Sequence, residues 1–277
     1  MKRTVALLLI MICILSGCGI GTPAGTAAPT TEPVTAPATE ATTEAATESV
    51  TEPATVATTE PTTVPTTVPP VVRHSGLNED GSFNEGAWFI GDSLTYNLIA
   101  SYLRPKEYLG DANYTAKCGA QITAFFDGTV MNRTSDGICG YRSEHYNMTY
   151  QQVALELGTK AKAIYVMFGT NHTKEGFEDY YRQMVDFLLE ACPEATIHLQ
   201  LIPWCGSGVY WNVNKQINKI YGEYESAGQQ RVMLIDTFTG IGQNPYSEKD
   251  TIHLSTRGNR YWYNTIVAHA EKNGLMP

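Results

Sequence analysis

The sequence predicts an α/β fold for its carboxyl-terminal part, with a parallel β-sheet covered by helices on both faces. Two observations support this fold class. Short apolar segments alternate along the chain with longer segments in which apolar residues recur at helical spacing, the pattern of strand-helix-strand units. The apolar segments are also nearly continuous, as expected for strands that are buried on both faces. In such sheets ligands bind beyond the carboxyl ends of the strands, so the residues that follow each strand are the candidates for function.

Five strands are predicted from the apolar segments. The first, at 87–91 (AWFIG), is short and ends at a glycine, and the second, at 114–119 (YTAKCG), carries a weaker signal. The third, at 161–169 (AKAIYVMFG), has a strong apolar run. The fourth and fifth lie at 196–204 (TIHLQLIPW) and 231–238 (RVMLIDTF). Because helical segments separate most of these strands, parallel pairing is expected.

Four helices are predicted between and after the strands. The segments 93–104 and 176–192 place their apolar residues on one helical face, and the segments 209–226 and 255–272 complete the set. The stretch 120–160 is long and rich in Gly, Asn and Tyr. We expect this stretch to select the substrate, and part of it is compatible with an ordinary helix.

The first 18 residues predict a secretory signal peptide. Lys2 and Arg3 precede an apolar run from Val5 to Leu15, and small residues follow, ending at Cys18. The run is shorter than the roughly 20 residues that a membrane-spanning helix needs. The final LSGC resembles a bacterial lipobox, which implies that Cys18 becomes the lipidated first residue of an exported protein anchored at the cell surface.

Residues 19–72 predict a disordered tether. They consist mainly of Thr, Pro, Ala, Glu and Val and contain no aromatic residue, Lys or Arg. Such a segment cannot bury enough apolar surface to offset the entropy lost on ordering. Its reach lies between roughly 40 Å as a coil and roughly 170 Å as polyproline II. The remaining residues, 73–277, are expected to form one domain with a sizeable core.

The formal net charge of −9 excludes some classes of partner. Six glutamates lie in the predicted tether, and residues 73–277 hold 17 basic and 22 acidic residues. No cluster of Lys and Arg predicts binding to nucleic acid or to lipid headgroups. The membrane is therefore expected as a partner only through the lipid anchor on Cys18.

Four cysteines remain in the predicted domain, and none of their spacings is the CxxC of a zinc site. A zinc site is therefore not expected, and we predict no metal and no cofactor. An exported domain permits disulfides. The sequence leaves open the oligomeric state and the pairing of Cys118, Cys139, Cys192 and Cys205. Cys192 lies at a predicted helix end, where a buried free thiol is favoured.

Three residues predict a Ser-His-Asp triad. Ser93 follows the first strand at a strand-to-helix turn, which exposes a hydroxyl, and that hydroxyl needs a base to take its proton. His253, just before the last helix, can accept and return a proton at neutral pH. Asp250 lies three residues earlier and can orient the imidazole ring. The alternatives are a helix N-cap for Ser93, a solvated turn residue for Asp250 and a structural role for His253.

Attack on an ester creates an oxyanion, which needs preorganised hydrogen-bond donors. The predicted donors are the backbone N–H of Ser93, the backbone N–H of Gly119 and the side-chain amide of Asn171. Glycine suits its position because backbone must approach the substrate closely. The glycines that could replace Gly119 are Gly128, Gly137 and Gly140.

Three further residues are candidate substrate contacts, and each has a plainer alternative. Asp92 could instead brace the turn, His172 could be a bystander and Trp204 could serve packing. Asp236 follows the fifth strand, where satisfying backbone groups is favoured over a role as a rival triad acid. His198 lies inside a strand, where a core histidine is favoured over a ligand.

Taken together, these motifs resemble those of the SGNH/GDSL hydrolase family. GDSL stands at 91–94, a glycine follows the second strand, GTN stands at 169–171 and DTIHLS at 250–255. The resemblance runs from residue 87 to the last helix. One departure is His172, which stands where the family often has Asp.

The resemblance implies a flavodoxin-like, three-layer αβα fold and serine ester hydrolysis without a metal. It implies Ser93 as nucleophile, His253 as base, Asp250 as the acid that orients it, and Gly119 and Asn171 as oxyanion donors.

We expect an extracellular, lipid-anchored serine esterase that acts through an acyl-enzyme. Surface location and polar, aromatic loops without a long apolar lid favour short acyl esters, especially acetyl groups on polysaccharide. One alternative is an O-acyltransferase that uses the same residues on cell-surface glycan. Another is a catalytically silent glycan-binding module. A solute-binding lipoprotein is disfavoured because the domain is short for two lobes.

Overall fold

The computed structural model describes residues 71–131, 139–141, 143–172, 175–203, 210–241, 250 and 252–277. Within these residues one sheet has the strand order β3-β2-β1-β4-β5-β6. Five strands run parallel, and β3 pairs antiparallel with β2 at the edge. The strands are β1 Ala87–Gly91, β2 Asn113–Lys117, β3 Cys139–Tyr141, β4 Ala163–Met167, β5 Thr196–Gln200 and β6 Val232–Ile235.

Helices connect most of these strands. A π-helical turn, Ile99–Leu103, continues the first helix, and 3-10 turns lie at Ile122–Phe125, Ser143–His145 and Gly158–Lys160. The α-helices are α1 Ser93–Leu98, α2 Tyr150–Leu157, α3 Phe177–Ala191, α4 Tyr210–Ser226, α5 Thr237–Ile241 and α6 Thr256–Lys272.

Helices cover both faces of the sheet, which gives three layers. Successive side chains of a strand point to opposite faces. Accordingly, Trp88 and Ile90 of β1 belong to a core cluster with residues of α2, α3 and α4, whereas Phe89 belongs to a second cluster with residues of α1 and α6. Each strand of the centre is therefore buried on both sides, as its continuous apolar sequence predicts.

The predicted α/β class and parallel sheet are confirmed, with differences at element ends and in the stretch 120–160. The first predicted helix stops as α-helix at Leu98 and continues as the π-helical turn. The short edge strand β3 and the helices α2 and α5 were not predicted individually. Helix α2 begins with a capping box of Thr149 and Gln152, a signature that is visible in the sequence.

From β1 the chain adds β2 on one side of the sheet and then β4, β5 and β6 on the other side. The switch in strand order therefore lies between β1 and β4. The crevice beyond the carboxyl ends of these two strands is the expected ligand site of a doubly wound sheet. Ser93 follows β1, and the GTN segment at 169–171 follows β4 within a few residues.

Elsewhere in the domain, Cys192 is a buried free thiol whose Sγ lies 3.4 Å from the Ala154 carbonyl oxygen.

Two sequence predictions about the amino-terminal region concern residues 1–18 and 19–72. The signal peptide with Cys18, and all of the tether except residues 71 and 72, lie outside the described residues. The domain boundaries at 18 and 72 stay predictions. In the described part of the chain, no helix combines the length and the apolar character needed to cross a membrane.

Candidate active site

Ser93 is the first residue of α1, and Asp92 is the N-cap of that helix. The Leu94 backbone N–H donates to Asp92 Oδ1 at 3.0 Å, so the carboxylate caps the helix start. The capping role that serine could fill is thus filled by its neighbour. Ser93 is 7% exposed, and its own N–H belongs to the first helical turn, whose N–H groups have no acceptor within the helix.

Close packing fixes the backbone of this turn. A Cβ atom on Gly91 would collide with the Met167 carbonyl oxygen and with Thr95 Oγ1, so only glycine fits between β1 and its neighbours. The buried Tyr150 of α2 donates its hydroxyl proton to the Gly91 carbonyl oxygen at 3.0 Å. Contacts with β4 and with Tyr150 of α2 therefore hold the strand-to-helix turn in place.

Asp92 is fully buried, and its surroundings move its titration closer to neutral pH than that of an ordinary aspartate. Burial raises the pKa of Asp92 to about 6, although hydrogen bonds from the Thr170 hydroxyl and from backbone N–H groups act in the opposite direction. Thr170 Oγ1 donates to Asp92 Oδ2, which joins the segment after β4 to the segment after β1. The Tyr181 hydroxyl has no hydrogen-bond partner among the described residues, and the nearby Asp92 charge raises the pKa of Tyr181 in addition to burial.

Asn171 lies between the two loops that would supply the oxyanion donors. Its Nδ2 donates to the Ala120 carbonyl oxygen and to Thr170 Oγ1, each at 3.2 Å. The first contact brings the amide next to Gly119, whose φ of 74° is left-handed and whose Cβ position is open space. Because both amide protons have intramolecular acceptors, donation to a substrate oxygen would replace one of these two long bonds.

His253 and Asp250 form a contact of the kind that their spacing predicts. Asp250 Oδ2 lies 3.0 Å from His253 Nδ1, and Asp250 Oδ1 accepts from the backbone N–H groups of Ile252 and His253. Partial burial raises the pKa of Asp250, but these hydrogen bonds outweigh burial and lower the pKa below its ordinary value. The carboxylate is therefore charged at neutral pH, and the far ring nitrogen, Nε2, is left for another partner.

The segment of His253 is joined to α1 through Asn259, whose Nδ2 donates to Asn97 Oδ1 and to the Leu254 carbonyl oxygen. A protonated His253 lowers the pKa of Asp92, against the larger effect of burial. Among the described residues there is no hydrogen bond between Ser93 Oγ and His253 Nε2. Such bonds are often long in free enzymes and tighten when substrate binds. Ser93 and the Asp250–His253 pair thus lie on segments that hydrogen bonds join, and their assignment as a triad stays a prediction.

Of the other residues singled out from the sequence, His172, Asp236 and Gly128 lie in the described part of the chain. The His172 ring packs edge-on against Phe177, with ring centroids 4.9 Å apart, and it is partly buried beside Asn171. Asp236 Oδ1 accepts from the Thr239 N–H at 2.8 Å and so satisfies backbone at the start of α5. Gly128 is described, with φ 78°, whereas Trp204, Cys205 and Gly137 lie outside the described residues. Their proposed roles stay predictions.

Two residues that support the site were missed from sequence. Thr170 stands inside the GTN segment, but its bond to Asp92 depends on β1 and β4 being neighbours. Tyr150 carried no signal that would connect it to Gly91, 59 residues away. Within the described residues, no group of three or more His, Cys, Asp or Glu side chains could hold a metal ion.

Comparisons with known proteins give a family and several similar folds. A family two carbohydrate esterase from Clostridium thermocellum shares 14% identity at a TM-score of 0.48, and the match covers 67% of this chain but less than two thirds, 63%, of that one. The catalytic domain of peptidoglycan O-acetyltransferase A from Streptococcus pneumoniae shares 13% identity at a TM-score of 0.43, covering 68% and 94%. A member of the lipolytic protein G-D-S-L family from Veillonella parvula shares 16% identity at 0.42, covering 66% and 96%.

Among curated proteins, no sequence matches this chain. The sequence model of the GDSL-like lipase/acylhydrolase family matches residues 89–261, which include Ser93, Gly119, Asn171, Asp250 and His253. This match covers more than half of the chain, and the protein therefore belongs to the GDSL-like lipase/acylhydrolase family.

Proposed function

We propose that the protein is a serine esterase that removes short acyl groups, mainly acetyl, from carbohydrate through an acyl-enzyme. The observation that carries the proposal is that hydrogen bonds join the segments of three groups: Thr170 bonds to Asp92 beside Ser93, and Asn259 bonds to Asn97 of α1 and to Leu254 beside His253. These groups are Ser93 at the start of α1, the Asp250–His253 pair at 3.0 Å, and Asn171 beside Gly119. Membership of the acylhydrolase family supports ester chemistry by these groups.

The reaction follows from these positions. His253 takes the proton of Ser93 Oγ as that oxygen attacks the ester carbonyl carbon, and the charged Asp250 stabilises the imidazolium that forms. The N–H groups of Ser93 and Gly119 and the amide of Asn171 donate to the oxyanion. The alcohol leaves with the proton from His253, and water then attacks the acyl-enzyme by the same route.

An exposed aromatic surface supports carbohydrate as the alcohol part of the substrate. Trp211, in the first turn of α4, is 51% exposed, and its ring centroid lies 5.6 Å from that of Phe238 in α5. Both helices begin after the carboxyl ends of their strands, β5 and β6, which is the edge that carries Ser93. Lys215 Nζ lies 5.5 Å from the Trp211 ring centroid. Aromatic rings offer flat apolar area that can stack on the apolar faces of sugar rings, and the indole N–H of Trp211 can donate a hydrogen bond.

The same proposal includes export and attachment. The predicted signal, the lipobox-like LSGC and the predicted tether at 19–72 favour a domain that is anchored outside the membrane through Cys18. At that location the available esters are those of cell-surface or environmental glycans rather than of cytoplasmic metabolites. The membrane would be contacted only through the lipid.

The experiment that tests the proposal compares wild type with Ser93→Ala on p-nitrophenyl acetate. We expect the variant to lose activity by a factor of about 10³ or more, because the nucleophile is gone while binding groups remain. Thr95→Ser is a matched control, since it retains a hydroxyl two residues away. Unchanged turnover by Ser93→Ala would reject the nucleophile.

Substrate class is tested with the wild-type protein. Release of acetate from acetylated polysaccharide, together with a sharp decline along a series of p-nitrophenyl esters of increasing chain length, is the expected result. Activity on long acyl chains without activity on acetylated glycan would contradict the proposed substrate. Product analysis with an acyl donor and added glycan separates hydrolysis from transfer to a sugar hydroxyl.

A further inference from the structure

A buried asparagine of α6 connects the two halves of the candidate triad. Asn259 is fully buried, and its Nδ2 donates two hydrogen bonds. One goes to Asn97 Oδ1 at 2.8 Å, and the other goes to the Leu254 carbonyl oxygen at 3.3 Å. Asn97 lies in α1, four residues after Ser93, and Leu254 directly follows His253. The two bonds thus join the nucleophile's helix to the histidine's segment.

The hydrogen bonds around Asn97 fix the direction of this connection. Asn97 Nδ2 donates to Ser101 Oγ at 3.2 Å, which leaves Asn97 Oδ1 to face Asn259. Both protons of Asn259 Nδ2 are then used. The Asn259 Oδ1 atom is buried and has no partner among the described residues. A buried acceptor without a hydrogen-bond partner costs free energy of folding. The position of the Asn259 side chain therefore does not give all of its own polar atoms a partner.

The Asp250–His253 segment has little other support within the described residues. The side chains of Asp250 and His253 are 46% and 36% exposed, and within the described residues the hydrogen bonds of Asp250 all stay inside residues 250–253. Leu254, which is 2% exposed, anchors the segment in the core that α1 and α6 share. Ser93 and Asn97 lie one turn apart on the same face of α1, so a contact at Asn97 fixes the side on which Ser93 stands.

We infer that Asn259 is a positioning residue that sets the separation of Ser93 Oγ and His253 Nε2. It touches neither substrate nor the reacting atoms and acts through Asn97 on one side and through Leu254 on the other. This inference rests on the proposed function, because it presupposes that Ser93 and His253 react together. Misplacement of a catalytic pair by about 1 Å can lower a rate by about 100-fold.

The test replaces Asn259 by Leu, which keeps the volume and removes both donors, and separately replaces Asn97 by Ala. We expect kcat for p-nitrophenyl acetate to fall by about 10- to 100-fold in Asn259→Leu, with KM within about twofold of wild type. The rate at which a sulfonyl fluoride modifies Ser93 should fall in parallel, since that reaction also needs the serine-histidine pair. The double variant should be little worse than the worse single variant, because one connection is broken twice.

The matched control is Ser75→Ala. Ser75 is buried, its hydroxyl also makes two hydrogen bonds, to the Leu275 carbonyl oxygen and from the Leu77 N–H, and it lies before the amino end of β1. This variant should lower thermal stability while kcat and the modification rate stay within twofold of wild type. If Asn259→Leu behaves like Ser75→Ala, the residue is merely structural and the inference fails.

Two further outcomes are informative. If Ser93→Ala retains wild-type activity, the proposed function fails, whereas loss of activity in Ser93→Ala with full activity in both Asn259→Leu and Asn97→Ala overturns only the inference. Should Asn259→Leu not fold, Asn97→Ala carries the test alone, because it breaks the bond between the helices and leaves the Asn259 amide in place.

Discussion

At the scale of single residues, the pair Asp250 and His253 shows how a local sequence motif can produce a contact between a carboxylate and an imidazole. A carboxylate three residues before a histidine can bond both to the backbone N–H groups of the turn and to the ring, and Asp250 does both. The backbone bonds fix the carboxylate, and the carboxylate fixes the ring. The pair is partly exposed, so its attraction is screened by water and its role is orientation more than stability.

Replacing Asp250 by Asn should lower kcat by about 10²- to 10⁴-fold, because the amide keeps the backbone bonds of Oδ1 but cannot stabilise an imidazolium. KM for p-nitrophenyl acetate should change little, and thermal unfolding should stay near that of wild type. Asp236→Asn is the control, since Asp236 is also an exposed carboxylate that accepts from a backbone N–H. Steady-state kinetics on both variants decide the matter, and equal losses in the two would argue against Asp250 as the orienting acid.

The candidate site was predictable from sequence where its contacts are local or where strand ends alone bring residues together. Asp250 and His253 are three residues apart, and Ser93 and Asn171 each follow a strand of one parallel sheet. The bonds of Thr170 to Asp92 and of Asn259 to Asn97 join residues 78 and 162 positions apart. Such contacts depend on which strands and helices are neighbours, and no local pattern encodes that.

At the scale of elements, the turn between β1 and α1 carries the strongest constraint. Three features converge there: the tight packing of Gly91, the cap by Asp92 and the bond from Tyr150. Of these, only a cap and a glycine could be predicted from GDSL, because Tyr150 lies in a distant element. Helix α2 shows the same limit, since its capping box is local whereas its packing under Gly91 is not.

Two alanine substitutions at glycines should have opposite effects on stability. Gly91→Ala would push a Cβ atom into the Met167 carbonyl oxygen and Thr95 Oγ1, and we expect a loss of about 3 kcal/mol or more through overpacking. Gly222→Ala lies in α4 with open space at the Cβ position, and we expect a gain of about 0.5–1 kcal/mol from helix propensity. Urea unfolding measures both. A mild effect of Gly91→Ala would show that β1 and β4 can separate at this point.

At the scale of the whole molecule, buried titratable groups at two places couple stability to pH in opposite directions. His198 is buried in β5, stacked on Tyr165 at 4.8 Å, and its ring centroid lies 5.5 Å from that of His269 in α6. Burial lowers the pKa of His198 to about 3 and the pKa of His269 to about 4. Asp92, at the active-site edge, has its pKa raised by burial to about 6.

The free energy of unfolding rises with pH where the unfolded chain binds more protons and falls with pH where the folded chain binds more. Between pH 5 and 6 the two histidines are mostly protonated only in the unfolded chain, so they make the folded state less stable as pH falls. In the same range Asp92 is substantially protonated only in the folded chain, so its contribution falls as pH rises. The unfolded chain binds about two more protons at His198 and His269, and the folded chain binds about one more at Asp92. The unfolded chain therefore holds a net excess of about one proton, and the free energy of unfolding should rise by about 1.4 kcal/mol for each unit of increasing pH. The pKa of His74 is also lowered, which adds in the direction of the other histidines.

Removing one group from each set should change this slope in opposite ways. His269→Gln removes a proton that binds only to the unfolded chain, so the dependence between pH 5 and 6 should flatten by about 1 kcal/mol per pH unit. Asp92→Asn removes the opposing group, and Asn can still accept from the Leu94 N–H, so the dependence should steepen by about 1 kcal/mol per pH unit. Urea unfolding at closely spaced pH values gives the three slopes. Parallel curves for wild type and both variants would mean that neither group titrates differently in the folded protein, whereas divergence in the expected directions would show that acid sensitivity comes from the histidine pair and is moderated by the carboxyl group beside Ser93.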